Sequence, residues 1–185
     1  MRGLISSFPD YSYYATPQLL AAFADGAARL RAAIDGLTDE ECRARPRGPT
    51  KWSIHEIVIH VADSEMQGTF RIRKAWSEPS PVLPMYDQDA WVREIDYQGQ
   101  DAAARERALT LLALLREQTL PLFRRATAED WEKSGTHPEF GTVTLRNLLE
   151  LYADHVERHI DQILESRARL GRPLAMPQIL PRRLY

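Results

Sequence analysis

Two stretches of this chain, one opening at Ser53 and one at Thr144, begin alike, and that likeness constrains the fold more than any other feature of the sequence. Aligning Ser53 with Thr144 also pairs Ile54 with Leu145, Ile57 with Leu148, Ala62 with Ala153 and Asp63 with Asp154. The second stretch carries Leu145, Leu148, Tyr152, Val156, Ile160 and Ile163 at helical spacing, so one face of it is apolar. Upstream of each stretch lies a short capped turn, Leu37-Thr-Asp-Glu-Glu41 in one case and Ala126-Thr-Ala-Glu-Asp130 in the other. The chain therefore reads as two helical hairpins, each long helix, short helix, long helix, joined by a crossover from Pro79 to Gln100. Two such hairpins hide their stripes by packing as an all-α four-helix bundle, and no run alternates at period two for long enough to demand a sheet.

Punctuation places the elements. Thr16 reads as an N-cap with Pro17 at the first helical position, opening a helix to about Ile34 that Gly36 ends. The second long helix opens on Ser53-Ile-His-Glu56, a capping box, and runs to about Trp76. The crossover is loop-like, with one amphipathic turn from Asp87 to Ile95 carrying Trp91, the tryptophan expected near a pocket. The third long helix starts at about Asp101 and should kink or break at Pro121. The fourth starts near Thr144 and stops before Gly171, leaving a proline-containing tail, 171–185, expected to be extended.

Length and charge narrow the class. At 185 residues the whole span 1–185 is expected to be one domain with a core of ordinary size. A net charge of −2 and a pI near 6.2 leave no basic field for nucleic acid or anionic lipid. The paired arginines Arg71 and Arg73, Arg105 and Arg107, and Arg124 and Arg125 read as solvated helix faces. Cys42 is the single cysteine, so neither a disulfide framework nor a thiolate metal cluster can form, and nothing nearby would activate it. No apolar run approaches the length of a membrane span, and a cytoplasmic protein is expected.

The chemistry is carried by histidines. His155 and His159 are one helical turn apart, inside or against the apolar stripe of the fourth helix. By itself such a pair fits two core histidines hydrogen-bonded to carbonyls or carboxylates as well as it fits a metal site. His60 tips the balance, because it falls on the stripe of its own helix with Ile57, Val61 and Ser64. Three inward imidazoles from two helices suit one divalent ion, zinc or nickel foremost, with iron, cobalt or manganese as alternatives, and leave a coordination position for water or substrate. His55-Glu-Ile-Val-Ile-His60 imitates a zinc-protease motif with one residue too many. A separation of five puts His55 about 140° from His60, so His55 is expected on the surface. Tyr152 shares the face of the histidine pair, His137 sits in the loop that enters the fourth helix, and Glu65, Asp63 and Asp154 are candidate outer partners or general bases.

These residues resemble the DinB/YfiT superfamily over nearly the whole chain. The likeness rests on Trp52-Ser-Ile, His60-Val-Ala-Asp-Ser64, Tyr86-Asp-Gln-Asp-Ala-Trp91, His137-Pro138 and Leu151-Tyr-Ala-Asp-His-Val-Glu-Arg-His-Ile160. The resemblance implies an up-down-down-up bundle with its long crossover between helices two and three. It also implies a metal triad at His60, His155 and His159, and a homodimer. YfiT-like members are described as candidate metal-dependent hydrolases and bacillithiol S-transferases. The expected activity is therefore transfer of a small, bacillithiol-like thiol to an electrophile in detoxification or stress. Glu65, Asp154, Tyr152 and His137 are the candidate catalytic groups. Hydrolysis by an activated water is the alternative, and a non-catalytic metal-binding or dimeric interaction module is the third reading.

Overall fold

The structure, a computed structural model, describes residues 11–180. Seven α-helices and one small hairpin follow in order: α1 Thr16–Ile34, α2 Asp39–Arg43, α3 Ile54–Ser77, α4 Gln88–Glu94, α5 Ala103–Arg124, α6 Ala128–Trp131, β1 Ser134–His137, β2 Gly141–Thr144 and α7 Leu145–Arg169. A 3-10 turn, Tyr97–Gly99, precedes α5. No described helix is long and apolar enough to cross a membrane.

Cross-helix bonds fix the directions of the four long helices. Glu65 meets Arg116 and Thr69 meets Thr119, so α3 and α5 run parallel. Thr16 meets Arg146 and Arg29 meets Glu157, so α1 and α7 run parallel. Arg31 meets Glu106 while Phe23 meets Arg116, so α1 and α5 are antiparallel. The sense is up-down-down-up. Two successive long helices pointing the same way force the intervening chain to travel back along the bundle, which is why the crossover is long. It retraces α3 in reverse order: Pro84 binds Arg71, Tyr86 binds Ser64, Tyr97 binds Asp63 and Gln98 binds Ser53.

The two halves start as the repeat requires. Ser53 accepts from Glu56 N as Glu56 Oε2 closes the reciprocal bond at 2.7 Å, and Thr144 forms the same box with Asn147. Thr38 and Thr127 cap the two short helices in the same manner. The core lies in two clusters. One gathers Ile57, Val61, Leu109, Leu112, Val156 and Ile160, and the other gathers Leu19, Phe23, Ile72, Phe123, Leu148 and Leu149. Along α3 and α5 the residues between them are Glu65 and Arg116.

Several sequence expectations are corrected. The N-cap of α1 is Ala15, backed by Gln18 Oε1, while Thr16 is already helical and its hydroxyl accepts from Arg146. Pro121 does not break α5; it falls in the last turns, where one lost hydrogen bond is tolerated. The segment from Ser134 to Thr144 is a two-stranded hairpin, too short to show period-two alternation, turning at Gly141 with φ 72°. His137 is therefore a strand residue, only 7% exposed. His55 is fully buried instead of superficial, because α2, the crossover and α5 cover that side of α3; Arg105 bonds its Nδ1 at 2.8 Å. Arg71 is buried as well, contrary to the solvated-face reading. The tail beyond Gly171, whose packing the sequence leaves open, has no helix or strand and lies over the bundle, with Arg29 donating to Pro177 O at 2.8 Å and Leu180 in the second cluster. Pro181 and the rest of the expected tail lie outside the described residues.

Candidate metal centre

His60 leaves the middle of α3, and His155 and His159 leave successive turns of α7. The two helices cross antiparallel, since His60 meets His155 and His159 while Gly68 meets Tyr152. One ligand-capable nitrogen from each of the three histidines lies within 4.8 Å of the others. Nε2 of His155 and Nε2 of His159 are 3.1 Å apart. Two nitrogens bound to one ion at about 2.0–2.1 Å in a tetrahedral arrangement would sit about 3.3 Å apart, so this spacing suits a shared ligand. All three side chains are buried, at 2%, 8% and 4% exposure respectively.

The surroundings of the donors favour free lone pairs. Burial, reinforced by the neighbouring His159, holds the His60 imidazole well below its usual pKa. His155 is pushed the same way by burial, by His159 and His60, and by the Arg116 and Arg158 guanidinia. His159 Nδ1 lies 3.1 Å from the amide oxygen of Gln162, which can only accept, so Nδ1 carries the proton and Nε2 offers its lone pair to the cluster. Nε2 of His60 is buried without any hydrogen-bond partner among the described residues. A buried polar atom without a partner is costly. A divalent ion among the three nitrogens would satisfy it, so the donor set fits the expected metal.

Around this centre the other candidates have fixed employment. Tyr152 is the one that approaches, its ring 6.5 Å from that of His155; burial pushes its hydroxyl up to about 12, and Arg71 donates to it at 2.8 Å. Glu65 is fully buried and held by Arg116 at 2.8 Å, which also donates to the carbonyls of Phe23 and Tyr152. Asp154 accepts from Tyr11 and from Arg158, and Asp63 accepts from Tyr97. His137 stacks on Phe140 and lies near Arg71, not in the triad. Cys42 is buried, which pushes its thiol up, so it remains inert.

Two neighbours of the centre escaped the sequence reading. Trp52 packs its ring 4.5 Å from His60 and 6.2 Å from His159, walling one side of the cluster. Its position just before the Ser53 cap was the available signal. Gln162, three residues after His159, was legible only as an i,i+3 neighbour. Tyr86 and Trp91 pack in the crossover with ring centroids 4.7 Å apart and planes tilted by 51°.

Comparison with known proteins agrees with this geometry. The chain is 30% identical to YfiT of Bacillus subtilis over 145 residues, covering 78% of this chain and 79% of that protein, which is named as a candidate metal-dependent hydrolase. A Bacillus licheniformis protein with the same kind of name is 31% identical over 143 residues, covering 77% of this chain and 79% of its own. The solved structure of Bacillus subtilis YfiT, described as a four-helix bundle of unusual topology, superposes with a TM-score of 0.80 at 26% identity, covering 90% of this chain and 95% of that one. Residues 22–163 match the DinB superfamily, and the chain belongs to that family.

Proposed function

We propose that His60, His155 and His159 hold one divalent metal ion and that the protein is an enzyme transferring a small thiol, bacillithiol-like in character, to an electrophile. The observation that carries the reading is the pairing of a buried three-histidine cluster with neighbouring carboxylates that each have a partner of their own. Glu65, Asp154, Glu157 and Asp63 are bound by Arg116, by Tyr11 and Arg158, by Arg29, and by Tyr97 respectively. The ion would supply Lewis acidity, lowering the pKa of a nucleophile that it coordinates. A thiol, with an ordinary pKa of about 8.5, needs little help to ionise near neutrality, whereas bulk water at about 15.7 needs far more. A site whose neighbouring carboxylates are each bound by a guanidinium or a tyrosine hydroxyl suits the thiol better.

In this reading the protein's groups orient and enclose. Trp52 shields the cluster on one side, Gln162 sets the tautomer of His159, and Tyr152 holds its proton at the edge of His155. The thiolate sulfur forms a bond to the electrophilic carbon, the leaving group departs with the bonding pair, and the thiol proton passes to solvent. Hydrolysis is the second reading, favoured by the names of the relatives.

Elemental mass spectrometry of protein purified without an affinity tag should find about one divalent ion per chain, and none in His60→Leu or His155→Leu. Metal-loaded protein should then accelerate the reaction of bacillithiol with a chromogenic electrophile well above buffer. A rate equal to buffer rejects thiol transfer, and turnover of an ester without thiol would favour hydrolysis.

A further inference from the structure

Among the described residues three arginines are at least nine-tenths buried: Arg71, Arg116 and Arg167. Arg116 is neutralised by Glu65 at 2.8 Å. Arg167 donates to Ala33 O and Asp35 O at the end of α1, where the helix dipole presents its negative pole. Arg71 has neither arrangement. Its Nε and Nη2 both donate to Pro84 O, at 2.9 and 2.6 Å, and its Nη1 donates to Tyr152 OH at 2.8 Å. All of these acceptors are neutral, and no carboxylate lies within ion-pair distance among the described residues. Glu65, the fully buried carboxylate of this part of the bundle, is already paired with Arg116, so Arg71 has no direct counter-ion. A buried charge of that kind is strongly unfavourable without a counter-charge.

The location makes that charge informative. Only the Tyr152 side chain separates Arg71 from His155, since its hydroxyl meets the guanidinium and its ring faces the imidazole. His137 and Tyr86 lie close enough to feel the charge of Arg71. His137 Nδ1 accepts from Glu139 N at 3.2 Å, so in the neutral ring Nε2–H is the donor. A guanidinium has five N–H bonds; three are engaged here, leaving one on each terminal nitrogen. That is a donor set for an oxyanion.

We propose that Arg71 is an anion-docking residue, and that the molecule handled at the histidine cluster carries a carboxylate or phosphate group that pairs with it. The assignment of that group to the substrate rests on the proposed function; the docking site itself does not. Arg71 positions, and the histidine cluster reacts.

The test uses metal-free protein, so that anions cannot bind through an ion. Millimolar inorganic phosphate, or succinate as the carboxylate arm, should raise the thermal midpoint of the wild type above a chloride control of equal ionic strength. A larger response to one arm identifies the oxyanion. Arg71→Gln keeps a donor for Pro84 O but removes the charge, and its affinity should fall at least tenfold; Arg73→Met should respond as the wild type does. The assigned Nε–H resonance of Arg71 in the wild type should shift with the same midpoint, a readout that needs no variant. No stabilisation of the wild type by either anion, equal stabilisation of Arg71→Gln, or an unmoved Arg71 resonance would overturn the proposal. Failure of metal binding with an intact anion response would reject the metal reading and leave the docking site standing.

Discussion

The interior of this bundle contains two polar groups of opposite design. Arg116 and Glu65 form an ion pair at 2.8 Å whose guanidinium also donates to the carbonyls of Phe23 and Tyr152, while Glu65 Oε1 and Arg116 Nε have no partner among the described residues. The protein even shapes its backbone to them: a Cβ on Gly26 would lie 2.1 Å from Arg116 Nη1, and one on Gly68 would lie 2.5 Å from the Tyr152 ring. In the histidine cluster burial pushes His60 and His155 toward their neutral forms, and Nε2 of His60 is left unpartnered. One group is closed in charge, each ion meeting its opposite, and it ties α1, α3, α5 and α7 together. The other stays open to a cation, with three imidazole nitrogens gathered on one point.

That contrast can be broken most sharply at Arg116. Arg116→Met strands a buried carboxylate and should cost about 3–5 kcal/mol in urea unfolding, whereas the double change with Glu65→Leu should restore most of that loss. A double variant as unstable as the single one would show that the layer is not a closed unit.

The histidine layer should reveal itself through pH. The folded pKa values of His60 and His155 lie below the ordinary 6.5, so the unfolded chain takes up protons first as pH falls. Metal-free protein should therefore keep this stability above about pH 6.5 and lose it on acidification, by up to about 1.4 kcal/mol per pH unit for each histidine. His60→Leu should flatten that slope, and urea midpoints from pH 7.5 to 5.5 would read it.

A smaller effect sharpens the boundary between the layers. Gly68→Ala pushes on the Tyr152 ring and should cost about 1–3 kcal/mol. Because Tyr152 also edges His155, it should weaken metal affinity in a competitive chelator titration. At the low end, Arg31→Ala removes an exposed pair with Glu106 and should shift stability by less than about 0.5 kcal/mol, measured beside Arg116→Met.

The open layer was the more legible of the two in sequence. His60, His155 and His159 lie on stripes that the caps at Ser53 and Thr144 put in phase, so periodicity alone brought them inward. The closed layer followed no stripe. In α5 the leucine pattern is misleading: Leu114 is 51% exposed while Arg116 is 2% exposed. What draws Arg116 inward is Glu65 on another helix and the missing side chain at Gly26, neither visible within the α5 segment. His55 was misplaced for a related reason. Helical geometry correctly excluded it from the triad face, but the crossover and its neighbours bury a second face of α3. The β-hairpin was hidden by its brevity, and Arg71 by the general tendency of arginines to be solvated.

The parallel course of α3 and α5 also bears on how the chain reaches its final form. Each capped hairpin can gather much of itself from near neighbours in sequence, at modest loop-closure entropy. His60 belongs to the first and His155 with His159 to the second, so neither holds more than part of the cluster. The crossover must lie down along α3 before the two can meet in register. The histidine centre is thus completed only by long-range contacts, and the appearance of metal affinity during refolding would time the docking of the two halves.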